Sequence, residues 1–168
     1  MPLMKLEAAA ILHEVGGEKH KASYRLIRKL EPPLGWSRED LHMVAAIVRF
    51  HCGALPCANH GGLRELSPEQ RRLSRILAGI LRLAHAFDDT HDGHVQRLQV
   101  EDKSAFLLVS ASGYLPLSAT GQHVAEARYL LETVLRKPIV IRPLALASDR
   151  PMRRGAQASK RREGPRRR

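Results

Sequence analysis

Apolar residues recur every three to four positions through roughly the first half of the chain, then change to a period of two. Residues 4 to 14 read as a helix with Leu6, Ala9, Ala10 and Leu12 on or near one apolar face, stopped by Gly16 and Gly17. A second helix over about 20 to 30 carries Tyr24, Ile27 and Leu30 at helical spacing, until Glu31-Pro32-Pro33 breaks it. Ser37 with Asp40 three residues on predicts a capping box opening a third helix to about His51, through Leu41, Val44, Ala45 and Val48. Ser67 and Pro68 supply an N-cap and first position for a long fourth helix through Leu73, Ile76, Leu77, Ile80, Leu81 and Ala84. After a loop from Asp88 to Gly93, HVQRLQVE and SAFLLVSA alternate as strands do, GQHVAEARYLLETVL returns to the helical period, and PIVIRPL reads as a last strand. The expected class is α+β: a mainly helical region over 1–94, a small β-β-α-β unit over 95–146, and a basic tail over 147–168 with no apolar set to bury.

Composition refines this plan. The 168 residues are 43% apolar but only 4% aromatic, so Leu, Ile, Val and Ala must fill the core. No apolar run approaches the ~20 residues that cross a bilayer, and the first fifteen residues lack the layout of a signal peptide. We therefore expect a cytoplasmic protein without membrane attachment, in which Cys52 and Cys57 remain thiols. The net charge is +11, and most of it lies beyond Leu144, where nine Arg or Lys face only Asp149 and Glu163. Such a tail attracts RNA, DNA or another polyanion by counterion release, which makes a nucleic-acid-associated protein one reading.

Three constellations could carry chemistry. His13, His20 and His51 lie near helix termini and His85 near the end of the fourth helix, so four imidazoles could converge with Glu14 on one divalent ion. The loop HCGALPCANH offers His51, Cys52, Cys57 and His60 as N/S donors for zinc, at a spacing unlike common fingers. FDDTHDGH offers Asp88, Asp89, His91, Asp92 and His94, without the twelve-residue pattern of a calcium loop; a helix end turning into a strand is the simpler account.

Taken in order, AAILHEVGG, HKASYRLI, AAIVRFH-x-GALP and ILRLAHAFDDTH resemble the HD-type domain of the exopolyphosphatase and guanosine pentaphosphate phosphohydrolase (Ppx/GppA) family. Its patterns run approximately LHDIG or LHEVG, HKHSYYLI, ALVARYHRKALP and LLRLADALDRSH, and the β-β-α-β ending resembles the family's C-terminal portion. His13, His20 and His51 stand at family histidines. Glu14 replaces the HD aspartate, Ala22 replaces a second histidine, His85 replaces the late aspartate, and the helix carrying the first HD histidine would precede Met1. The resemblance therefore implies a truncated HD-like scaffold.

The family's hydrolytic residues belong to N-terminal actin-like domains. Gly16-Gly17 and Gly61-Gly62 are short turns rather than phosphate loops, so the resemblance places no catalytic residue here. It implies instead a polyphosphate-binding or regulatory module, with Lys21, Arg25, Arg28, Arg49 and His51 lining a basic passage. The expected partners are polyphosphate or another polyanion, a catalytic phosphatase domain, or a second copy of the chain. No cofactor is required by this reading. The alternative is a divalent-metal phosphohydrolase using His13, Glu14, His20, His51 and His85 with Mn, Mg or Zn.

Overall fold

The computed structural model describes residues 1–17, 19–57 and 59–144. The elements are α1 (Pro2–Leu12), α2 (His20–Ile27), α3 (Arg38–Phe50), α4 (Gly61–Arg64), α5 (Pro68–Phe87), β1 (Leu98–Asp102), β2 (Leu107–Ala111), α6 (Ala119–Leu135) and β3 (Ile139–Pro143). This is the α+β order expected from the sequence, with one addition: α4 is a single turn inside the loop that precedes α5. Two adjacent glycines and only four residues leave no periodicity by which to find it. The expectations for the tail over 147–168 lie outside the described residues.

Local chemistry fixes the helix starts. The Ser37 hydroxyl accepts from the Asp40 N–H at 3.1 Å while the Asp40 carboxylate accepts from the Ser37 N–H at 2.9 Å. Lys5 of α1 pairs with the same carboxylate at 2.7 Å and holds Asp40 below its ordinary pKa, tying the start of α3 to α1. Ser67 and Gln70 repeat the reciprocal cap at α5, with Pro68 at the first position, where a missing N–H costs nothing. Ser67→Ala should cost about 1 kcal/mol, read from the urea midpoint at constant m-value.

The sequence MVAAIV in α3 is apolar all round, and Met43 through Val48 are buried on every side. Around this central helix pack α1, α2 and α5, with Ile27, Ile47, Phe50, Leu63 and Leu81 in the first core. A second core joins the end of α5 to the sheet and α6 through Leu83, Phe87, Val109, Val124, Leu131 and Ile139. Helix α6 links the two, since Leu130 belongs to the first and Leu131 to the second. Gly79 makes the α5–α6 crossing possible: a Cβ there would lie 3.1 Å from that of Leu131.

The sheet order is β1-β2-β3. A short turn makes β1 antiparallel to β2, with Val100 opposite Val109, whereas the α6 crossover returns β3 parallel to β2, with Ile141 opposite Val109. Among the described residues, no helix is long and apolar enough to cross a membrane.

Candidate metal centre

Three helices present their C-terminal ends to one cavity. His13 is the C-cap of α1, His51 is the C-cap of α3, and His85 lies in the last turn of α5. Helix C-termini carry partial negative charge and unpaired carbonyls, so this convergence favours a cation.

Those carbonyls also set the imidazoles. The His13 Nδ1–H donates to the Ala10 carbonyl at 2.7 Å, and the His51 Nδ1–H donates to the Val48 carbonyl at 2.6 Å. A carbonyl can only accept, so both protons sit on Nδ1 and both Nε2 lone pairs are left for another partner. Ring centroids are separated by 5.2 Å (His13–His51), 5.6 Å (His13–His85) and 5.2 Å (His51–His85), all edge to face. One ring nitrogen from each of the three lies within 4.8 Å of the others.

Tetrahedral zinc with Zn–N bonds of about 2.0–2.1 Å sets its nitrogens roughly 3.4 Å apart, a contraction within reach of side-chain rotation. The donor set fits a divalent transition ion, and its Nδ1–H···O=C bonds are the usual outer support of a metal-bound histidine. Three imidazole nitrogens suit Zn, or Fe, Ni and Cu, better than Mg or Mn, which favour oxygen.

Burial and neighbouring charges lower the pKa of three of the histidines around the cavity. Burial, with the neighbouring imidazoles adding to it, pushes His51 down from 6.5 to about 4 against the opposing Val48 carbonyl. Burial and His13 lower His85, while Asp89 and Glu14 pull it back. Burial, then Arg49, Lys21 and Arg82, lower His20.

Because the folded pKa of His51 lies below the unfolded value, acid protonates the unfolded chain first. The stability is fully present above about pH 6.5 and is lost as the pH falls toward 4. That interval is worth about 3 kcal/mol for His51 alone. Urea unfolding with chelator present should give a lower midpoint at pH 4.5 than at pH 7.5, and a flatter pH dependence in His51→Gln.

The cavity has a volume of about 230 Å³ and is also lined by Glu14, His20, Cys52, Asp89 and His91. Glu14 is exposed, with an oxygen 3.6 Å from His13 Nε2. His20 is turned toward the loop after α3: its Nδ1 is 3.2 Å from Cys52 Sγ, and its ring lies against Gly53. Asp89 is held from α6 by His123 Nδ1 at 2.6 Å.

The basic residues named from the sequence are distributed differently. Lys21 and Arg25 are exposed on α2. Arg28 is occupied, donating to both Glu65 oxygens at 3.2 and 2.7 Å and to the Tyr24 hydroxyl at 2.8 Å, and these bonds raise its pKa. Arg49 lies over the Phe50 ring at 5.2 Å with a buried, unpartnered Nη1. Only His51 of that set lines the cavity.

The alternative zinc loop is not assembled. Cys57 is exposed, and its N–H donates to His60 Nδ1 at 2.9 Å. In the acidic loop, Asp92 accepts from the Thr90 hydroxyl at 2.7 Å and the His94 N–H at 3.0 Å, making a self-satisfied turn. Sequence reasoning missed Arg82, which donates to the Gly53 carbonyl at 2.7 Å and steadies the loop after His51. Its position one turn before His85 is the only local signal.

The chain's own motifs and this arrangement of elements are accompanied by a direct family match: residues 3–136 fit the profile described as Ppx/GppA phosphatase, domain III. The chain belongs to the Ppx/GppA phosphatase family. Comparison with curated proteins finds no match. The matched span of this Ppx/GppA domain runs from the first turn of α1 through the end of α6, so it takes in all three triad histidines and leaves out β3.

Proposed function

We propose that this Ppx/GppA domain is an HD-like accessory module that binds condensed phosphate at a divalent ion held by His13, His51 and His85, with anhydride hydrolysis supplied by a separate catalytic domain. What carries this reading is the convergence of three imidazoles, two with Nδ1 tied to backbone carbonyls, on one cavity at three helix ends.

A divalent ion bound there supplies a Lewis-acid position for a phosphoryl oxygen. The protein's part is to hold the three donors in place, with burial favouring the neutral form of His51 and His85, and to leave one side open toward Glu14 and solvent. Arg49 and Arg82, close enough to depress His20, add positive potential that attracts an anion to the same end of the bundle.

The full chain loaded with Co(II) provides the test. Inorganic phosphate or tripolyphosphate should shift the visible bands while the metal stays bound, whereas bands indifferent to either anion would contradict phosphate binding at this ion.

One observation favours a second reading, in which the module is itself a phosphohydrolase. Glu14 is a solvent-accessible carboxylate beside the triad, placed to accept a proton from attacking water. Phosphate release from polyphosphate by the metal-loaded chain alone, lost in Glu14→Gln with metal content unchanged, would replace the accessory reading with this one.

A further inference from the structure

Among the described residues, strand β1 has a neighbour on one side only. It lies at the edge of the sheet, and every residue from Leu98 to Asp102 is exposed. Its pairing with β2 runs without a bulge, and it contains no proline, so two of the usual devices that blunt an edge are missing. The ladder also fixes which backbone groups are free. The Lys103 N–H donates to the Phe106 carbonyl and the Ser112 N–H to the Arg97 carbonyl, both at 2.9 Å. Hydrogen-bonding direction alternates along an antiparallel strand. Gln99 and Glu101 therefore turn toward β2 with Arg97 and Lys103, while Leu98, Val100 and Asp102 point their N–H and C=O groups outward.

The apolar side of the same strand is open as well. Helices α5 and α6 bury Val109 of β2 and Ile139 of β3, yet Leu98 and Val100 of β1 are 45% and 65% exposed. Beneath them a groove of about 410 Å³ runs against Ile76, Ile80 and Ala84 of α5, and its lining is apolar throughout. Asp102, the next residue on that face, is paired with Lys137. An inward-facing charge ordinarily keeps an edge from pairing, and here the lysine neutralises it.

We propose that this edge pairs with the same edge of a second copy of the chain, antiparallel about a two-fold axis at Val100, so that two sheets become one. The strand is complementary to itself, which favours a second copy over an unrelated partner. With Val100 opposite Val100 of the copy, about 5.5 Å apart at Cα, Leu98 falls opposite Asp102, and the outward groups close roughly six backbone hydrogen bonds. On the outer face, Glu101 falls opposite Gln99 of the copy and diagonally across from its Arg97, so a carboxylate meets an amide donor and a cation on both sides of the axis. The axis runs perpendicular to the sheet and keeps both α5 helices on one side. Leu98 and Val100 from the two copies then form one apolar strip beneath which the grooves meet.

The test is sedimentation velocity of the full chain over a concentration series, with EDTA present to exclude association through a metal. The parent should dimerise. Val100→Pro removes an outward N–H that bonds nothing within β1 and β2, and Val100→Lys sets two like charges at the axis; each should raise the dimer dissociation constant at least tenfold. Amide exchange in the parent gives a readout independent of how the variants fold. The Gln99 and Glu101 amides should be protected at every concentration, whereas protection of the Val100 amide should rise at least tenfold from monomeric to dimeric concentrations. A parent that stays monomeric up to about 1 mM would overturn the interface. So would a dimer whose Val100 amide exchanges as fast as in the monomer, or folded variants that dimerise as the parent does.

Discussion

His51→Ala lowers zinc affinity at least a hundredfold at pH 7.5, measured by calorimetric titration against a competing chelator. The size follows from the position. His51 is 4% exposed, its Nδ1 is spent on the Val48 carbonyl, and it supplies one of the three ring nitrogens in the cluster found among the described residues. Two imidazoles at separate helix ends then lack the third donor of a closed set. His13→Ala and His85→Ala act in the same direction. His60→Ala leaves zinc affinity unchanged, because that ring accepts the Cys57 N–H and packs near Phe50, away from the triad. Equal affinity in the parent and His51→Ala would place the metal elsewhere.

Gly16→Ala destabilises the fold by about 3 kcal/mol, a large overpacking effect. A Cβ at Gly16 would stand 2.4 Å from the Ser23 backbone nitrogen and 2.7 Å from the Ala22 carbonyl carbon, so α2 must move away from the end of α1. The Gly16 N–H···Oγ bond to Ser23, at 3.0 Å, is strained by the same shift. Since that turn directly follows His13, one of the three clustered histidines, metal affinity falls together with stability. The adjacent glycine is a contrasting control. Gly17 has φ +71° and open space around its missing Cβ, so Gly17→Asn keeps both stability and metal binding close to the parent. Urea melts of the two variants separate a steric requirement from a conformational one.

These two glycines also illustrate what a sequence reveals. Their role as a helix stop is local and legible, but the close approach of α2 to Gly16 arises only when the helices pack. Ser37 with Asp40 and Ser67 with Pro68 announce helix starts because their partners are three residues or fewer away. The period-two pattern exposes the sheet, and the helical crossover makes the last pair parallel. Helix α2 ends at Ile27 rather than near 30, because the residues before Pro32-Pro33 already leave the helix as a turn.

Site chemistry was legible residue by residue more than as an arrangement. His13, His51 and His85 each sit at a recognisable helix end, yet their meeting depends on how α1, α3 and α5 cross. Glu14 and His20 border the same cavity without joining the nitrogen cluster, the latter because Cys52 and Gly53 hold its ring. Arg28 could be read as a free cation until the fold brought Glu65 to it across 37 residues. Conversely, Arg71, Arg72 and Arg75 look like solvated helix charges until Arg136 arrives from α6 to close a cleft around them.

The most direct measurement is an anomalous difference map at the zinc edge from crystals of the full chain grown with one equivalent of zinc. The account predicts one dominant peak about 2.0–2.2 Å from ring nitrogens of His13, His51 and His85. A dominant peak at the Cys57–His60 loop or the Asp88–Asp92 turn, or no ordered zinc at the triad, would contradict it.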